Sequence, residues 1–388
     1  MTRFLGLTAF LASLALSGSV WAQGSEPMIE VHGFGGWAYG STDGNAYTLG
    51  SDEGVYDNAQ FSLHVVASPA ENITIVAQMQ FDNADDEVNL DYAFAEWFLS
   101  DALKLRFGRV KHPFGIYGEI FDVGTLRPFQ FLPQGIYGGQ GATAEAYNGV
   151  GLTGARRSGD RWGLQYDAYA GQITGTVEVP PGLSIEGGSP VLQLTDFEFN
   201  FDNVLGTRLN VLTPIEGLTV GLSGYYSSNA ETALTAVPVP GFETGGSGQE
   251  VAGGHLEYMG GRTWVRAEAV RTVTASSIEQ EAGYLELAYK LTPEWQVAAR
   301  YESWQAALPG FDNPMLPEFV RQLADHQETA LGLNYWVNSN LVLRLSVHEI
   351  VGNRFAFPSD PTQILQALLL DALDDTTQLV VFGTQFSF

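Results

Sequence analysis

The sequence predicts an all-β fold: a transmembrane antiparallel β-barrel of sixteen strands, with short turns at one end and long loops at the other. Three observations lead there. Apolar and polar residues alternate in runs of about ten, the connections between runs alternate short and long, and the alternation continues through Leu379–Phe388 to the last residue. A period of two gives each strand one apolar face. About ten residues is the length a tilted strand needs to cross a bilayer.

The chain opens on an export signal. Met1-Thr2-Arg3 precedes an apolar run, Phe4 to Val20, and a small-x-small site at Val20-Trp21-Ala22. This is the layout of a secretory signal peptide over 1–22, leaving 23–388 as one barrel domain. An uncleaved anchor is the alternative, but the run is marginal for a helix that needs about 20 residues to span.

The strands follow. Phe61, Leu63 and Val65 alternate with Gln60, Ser62 and His64, and Leu103, Leu105 and Phe107 with Lys104, Arg106 and Gly108. Trp162, Leu164 and Tyr166, then Trp295, Val297 and Ala299, then Leu341, Leu343 and Leu345 repeat the pattern. Short connections fall at Ser68–Asn72, Ser100–Ala102, Arg156–Asp160, Pro214–Gly217, Gly260–Gly261, Leu291–Glu294 and Val337–Asn340. Longer ones lie near 40–57, 82–88, 110–147, 172–202, 228–249, 273–281, 305–325 and 352–375. The count is sixteen strands from near Ile29 to Phe388, with both termini at the short-turn end. That is the layout of short periplasmic turns and long extracellular loops. A large soluble sandwich or propeller is the alternative, but neither sorts its loops by length. An unpaired edge is not viable in hydrocarbon, so the last strand must pair with the first.

Composition narrows the function. There is no cysteine, only 16% of residues are charged, and the net charge is -26. The first excludes disulfides and thiolate metal sites, and the last excludes nucleic acid as a partner. The six histidines never fall at metal-ligand spacing, so neither cofactor nor metal is expected. Gly149–Gly154 and Gly33–Ala38 fit a dinucleotide pattern, but that fingerprint must open a helix, and strand follows here. No Gly-x-Ser-x-Gly occurs, yet catalytic triads are spatial, so a barrel enzyme of lipase or protease type stays as an alternative. A structural or adhesion barrel is a third reading. Asp82–Glu87 reads as a solvated hairpin tip or a cation site. Asp360–Asp375 breaks the rhythm with a capped apolar helix, either packed on the barrel mouth or acting as a lid or subunit contact.

Leu103–Gly115, Leu126–Tyr137 and Glu328–Val347 resemble segments of Gram-negative outer-membrane porins, specifically the phosphate-selective (O/P-type) family. The resemblance implies a sixteen-stranded porin, a homotrimer, and a third loop folded inward to narrow the pore. The Phe388 terminus is similar to the signal read by the barrel-assembly machinery. Lipid and lipopolysaccharide are the implied surroundings, and small hydrophilic solutes the implied cargo. One departure is clear: Ser228–Gln249, the fifth outer loop, carries no Lys or Arg. Polar inward faces favour passive diffusion. On the lumen parity stand Lys104, Arg106, Arg161, Arg266, Lys290, Arg300 and Arg344 against Asp167, Glu268, Glu286 and Glu302. Lys104, Arg106, Arg109, Lys111 and Arg127 are the candidates for the constriction. Bases outnumber acids on this wall, which points to weak anion selectivity.

Overall fold

The computed structural model describes residues 28–47, 49–82, 87–100, 102–138, 141–158, 162–186, 189–231, 248–274, 279–307, 324–356 and 373–388. Residues 1–22, expected as a signal peptide, Arg161, and most of the Asp82–Glu87, Ser228–Gln249 and Asp360–Asp375 stretches lie outside the described residues.

Sixteen antiparallel strands form one closed sheet. They are β1 (Met28–Thr42), β2 (Val55–Ala70), β3 (Ile73–Asp82), β4 (Glu87–Ser100), β5 (Leu103–Lys111), β6 (Ala146–Ser158), β7 (Trp162–Glu186) and β8 (Ser189–Leu212). Then come β9 (Leu218–Ser227), β10 (Gln249–Gly260), β11 (Thr263–Thr274), β12 (Glu279–Lys290), β13 (Trp295–Ala307), β14 (Asp325–Asn338), β15 (Leu341–Val351) and β16 (Thr376–Ser387). A short piece, Asn229–Glu231, continues β9 and pairs with Asn200–Asp202 of β8.

Burial runs opposite to that of a soluble protein. On β15, Leu345 and Val347 are 45% and 48% exposed, while the intervening Ser346 and the flanking Arg344 and His348 are at most 5% exposed. On β13, Val297 is exposed while Arg300 and Glu302 are buried. The expected register therefore holds: apolar side chains face out, charged ones face in. Phe107, Val150, Leu209, Leu222, Leu287, Leu333 and Phe382 extend the apolar face around the barrel. A surface of that extent is stable only against lipid. Trp97, Trp162, Tyr289 and Trp295 are exposed near the short-turn end, and Tyr56 and Tyr226 near the other. These are the aromatic girdles of a membrane barrel.

Two expectations need correction. The loop expected near 172–202 is mostly strand, because β7 and β8 run on for 25 and 24 residues. Alternation persists through Phe197, Phe199 and Phe201, and Pro180-Pro181 is absorbed at a register shift between Val179 and Gly182. Proline is tolerated at such bulges because no ladder bond is needed there. Likewise, the connections expected near 82–88 and 273–281 narrow to 83–86 and 275–278.

The barrel closes where the periodicity required. Strands β1 and β16 pair from Phe34↔Ser387 to Thr42↔Leu379. Gly33 N–H donates to the Phe388 carbonyl at 3.1 Å, and Phe388 N–H to the Gly33 carbonyl at 2.8 Å. The Phe388 ring occupies the space above Gly33, where a Cβ would meet it at 2.4 Å, and stacks on Phe61 with centroids 6.4 Å apart.

Deleting Phe388 removes both hydrogen bonds and the ring from the seam. We expect a lower yield of folded barrel, read as loss of the heat-modifiable band on a gel; an unchanged band would refute the seam's importance. Leu345→Arg places a charge against lipid in mid-strand and should destabilise the barrel by roughly 2–4 kcal/mol. Equilibrium unfolding in lipid vesicles measures this directly.

Candidate functional site

The third outer loop, residues 112–145 between β5 and β6, turns into the barrel. It contains one 3-10 turn, Gly124–Leu126, and a single helical turn, α1 (Gln134–Tyr137). A loop this irregular leaves many backbone groups without partners of its own, and buried ones must be paired. The inward side chains of the wall supply those partners.

On β11, Glu268 accepts from Ile116 N–H at 2.9 Å, from the Tyr137 hydroxyl at 2.6 Å and from the Tyr284 hydroxyl of β12 at 2.7 Å. Gly115 makes this approach feasible: its φ is +58°, and a Cβ there would lie 2.2 Å from Glu268 Oε1. Arg266 donates to the Tyr117 hydroxyl at 2.7 Å and to the Leu126 carbonyl at 3.0 Å. Tyr117 in turn donates to Glu286 of β12 at 2.5 Å. On β13, Arg300 donates to the Phe131 carbonyl at 2.9 Å, while Glu302 accepts from Gln134 N–H at 2.9 Å. Asn334 of β14 holds the Pro128 carbonyl, and Arg344 of β15 holds the carbonyls of Gly124 and Arg127. Ser223 and Tyr225 of β9 bond Gly115 N–H and the Ala142 carbonyl.

This side of the lumen is dry. Arg266, Arg300, Arg344, Glu286, Glu302 and Glu328 are each at most 3% exposed. Their charges are largely matched. Arg266 pairs with Glu257 at 2.8 Å, and Arg300 with Glu328 at 2.8 Å. Such pairs contribute little net stability after desolvation, so their clearest effect is to fix the loop's position.

The opposite side is wetter. The side chains of Lys104 and Glu119 remain 32% and 37% exposed. Arg106 bridges Glu96 at 2.7 Å and Glu119 at 3.3 Å, and Lys104 reaches Glu96 at 3.1 Å. Arg208 of β8 joins Asp167 at 2.8 Å and also pairs with Glu119. Three bases thus face three carboxylates. Lys111 sits between Asp122 at 2.5 Å and Glu145 at 2.6 Å. Burial, with Asp122 nearby, raises the Glu145 carboxyl to about 8, so Glu145 takes a proton before Asp122. His112, at the loop's start, is driven by burial down to about 3 and stays neutral, held by Tyr169 and Thr143.

Arg106 and Lys111 therefore meet the loop at Glu119, Asp122 and Glu145, and Arg127 lies within it, whereas Lys104, beside the short turn, reaches only Glu96 of the wall. Arg109 does not join them: its register opposite Ala93 and Asn148 continues the Phe107–Val150 outward face, and its Nε donates to the Asp91 carbonyl. Lys290 lies at the short-turn end of β12, 5.3 Å from the Trp336 ring. The sequence reading missed Glu96, Glu119, Arg208 and Glu328. Arg208 was findable, since Leu205, Thr207, Leu209 and Val211 share one parity and Gly206, Arg208 and Asn210 the other. Glu119 was not, because it lies in an aperiodic loop.

No protein-family model matches the sequence, and no curated protein is significantly similar to it. Solved structures do share its fold. The outer membrane channel DcaP of Acinetobacter baumannii aligns over 96% of this chain and 100% of its own, with TM-score 0.57 and 11% identity. An anion-selective porin from Comamonas acidovorans aligns over 94% and 100%, with TM-score 0.53 and 9% identity. OmpT of Vibrio cholerae, an outer membrane protein in its trimer form, aligns over 93% and 99%, with TM-score 0.52 and 10% identity. The fold is that of Gram-negative outer-membrane channels, and a closed barrel with a lipid-facing belt resides in that membrane.

Replacing Glu268 by Leu strands the Tyr137 and Tyr284 hydroxyl donors and leaves Ile116 N–H only its 3.0 Å bond to the Tyr137 hydroxyl. A buried donor left unpaired costs about 1–3 kcal/mol, so the loop should unseat. Expected readouts are faster protease cleavage within 112–145 and a larger single-channel conductance. Unchanged cleavage and conductance would show that Glu268 does not seat the loop.

Proposed function

We propose that the protein is a porin through which small hydrophilic solutes and ions diffuse passively. The observation that carries this reading is the asymmetry of the lumen: the third loop seals one side and leaves a charged, solvent-exposed strip at Lys104, Arg106 and Glu119 on the other. Homotrimer assembly, a lipopolysaccharide setting and delivery by the barrel-assembly machinery belong to the same reading. The trimer draws support from the trimeric form of one similar structure.

The excess of bases counted along the sequence argued for anion preference. Pairing changes that count. Lys104 and Arg106 of that strip, with the buried Arg208 beside them, are matched by Glu96, Glu119 and Asp167. Screening over ~8 Å at physiological salt leaves the local ring dominant over the acidic outer loops. We therefore infer weak ion selectivity, with any anion preference residing in Lys104 and Arg106.

A hydrolase reading has one observation behind it. Ser346 Oγ lies 2.7 Å from His348 Nε2, and His348 Nδ1 lies 2.9 Å from Glu328 Oε1. That is the spacing of a nucleophile, base and orienting acid. However, Phe131 stacks on the His348 ring at 4.8 Å, Ser346 is 5% exposed, and Arg300 already holds Glu328. The porin reading is the better supported.

In planar bilayers the wild type should give ohmic steps and a reversal potential near zero across a KCl gradient. Lys104→Glu with Arg106→Glu leaves that strip with surplus acid and should shift the reversal potential toward cation preference. Absence of conductance in the wild type, together with Ser346 labelling by a fluorophosphonate, would replace the porin with the hydrolase.

A further inference from the structure

The linear spacing of the histidines gave no metal site, but the fold gathers two of them with two carboxylates. Glu302 of β13 and His326 and Glu328 of β14 each present a ligand atom, and the three atoms lie within 4.8 Å of one another. All three residues are at most 2% exposed. His348 stands beside them, its Nδ1 2.9 Å from Glu328 Oε1.

Two atoms in this group make no hydrogen bond, although Arg300 Nε stands 3.5 Å from one of them, Glu302 Oε2. Glu302 Oε2 and His326 Nδ1 are buried with no hydrogen-bond partner. Buried polar atoms are nearly always paired, so each orphan calls for an explanation. A small, largely apolar cavity adjoins His326 and Glu328, its other walls including Phe131, Gln134, Phe355 and Leu379. The volume open to water centres is about 20 Å³, which is room for about one water or ion.

A second cluster shows what a satisfied site looks like. Asp91, Asp122 and Glu145 also lie within 4.8 Å of one another, but Lys111 already sits between Asp122 and Glu145. That trio carries its own cation. In the Glu302 cluster, Arg300 serves two carboxylates, 3.5 Å from Glu302 and 2.8 Å from Glu328. What sets it apart is its donors: His326 faces Glu302 at 3.2 Å and His348 faces Glu328 at 2.9 Å, where the Asp91 trio has carboxylates alone.

We propose that Glu302, His326 and Glu328 bind one divalent transition-metal ion. Mixed imidazole and carboxylate donors suit Zn²⁺ or Mn²⁺, not Ca²⁺ or Mg²⁺, which take oxygen ligands alone. His348 or a water in the cavity completes the coordination. Bonds of about 2.0–2.2 Å require the ligands to draw together from their present spacing. The ion would also act on the third loop. Glu302 accepts from Gln134 N–H, and the cavity is walled by Phe131 and Gln134, so a bound metal stitches β13 and β14 to α1. The site is independent of whether the barrel conducts.

The test uses the full mature chain folded in detergent, dialysed against a chelator and titrated with ZnCl₂ and, separately, MnCl₂ by calorimetry, with metal content confirmed by mass spectrometry. We expect one ion per chain and a raised unfolding temperature. His326→Gln and Glu302→Gln, each checked for heat-modifiable mobility, should bind more weakly by at least the roughly 10- to 100-fold that even outer-shell changes cost. If one variant does not fold, the other decides. No binding by the wild type, or equal binding by a folded variant, would show that the cluster is an ion-pair network only.

Discussion

An irregular loop inside a barrel must find partners for its own backbone. Residues 112–145 contain little regular structure, so their carbonyls and N–H groups are satisfied by the wall: Arg266, Arg300 and Arg344 give hydrogen bonds, while Glu268 and Glu302 take them. This constraint explains why arginines and glutamates sit at alternate positions of β11 to β15 and why they are among the driest residues of those strands. Charge on this wall serves geometry first. Around Lys104 and the loop's own Glu119, whose side chains stay about a third exposed, charge is left for a solute to meet.

The same constraint sorts the apolar residues. Most face lipid, yet a minority point inward at the outer end. Ala38, Ile350, Leu379 and Val381 form a small cluster against Tyr47, Leu49 and Phe131. Here the first and third loops fold over the wall, and burial against them replaces the polar contacts made deeper in the lumen.

Much of this was legible in the sequence, and the boundary of what was legible is physical. A period of two assigns faces, so Arg266, Arg300, Arg344, Glu268, Glu286 and Glu302 were placed inward and Val297 and Leu343 outward before any coordinates. Periodicity also fixed the strand count and the closure at Phe388. It could not show what crosses the lumen, because the third loop has no period. Hence counting bases overstated the free positive charge: the partners Glu119, Asp122 and Glu145 lie in that loop or at its end. Arg109 was misplaced for a local reason. It shares the parity of Phe107, so alternation alone puts it outward, and only its nearness to the third loop set it among the constriction residues. The stretch near 172–202, expected as a loop, is mostly strand, and Pro180-Pro181 falls at a register shift within it.

The seam between Gly33 and Phe388 joins residues separated by almost the whole mature chain. Every other ladder links strands that are neighbours in sequence; this one is the least local contact in the molecule. Closing it forfeits the largest loop entropy, and non-local pairing is intrinsically slow. It also requires that the final residue has been made. Until then β1 and β16 both present unpaired edges, the feature that templates aggregation. The chain therefore has a defined period of vulnerability, beginning when its first strand leaves the ribosome's reach and ending when its last amide pairs, and during that period something else must cover its edges.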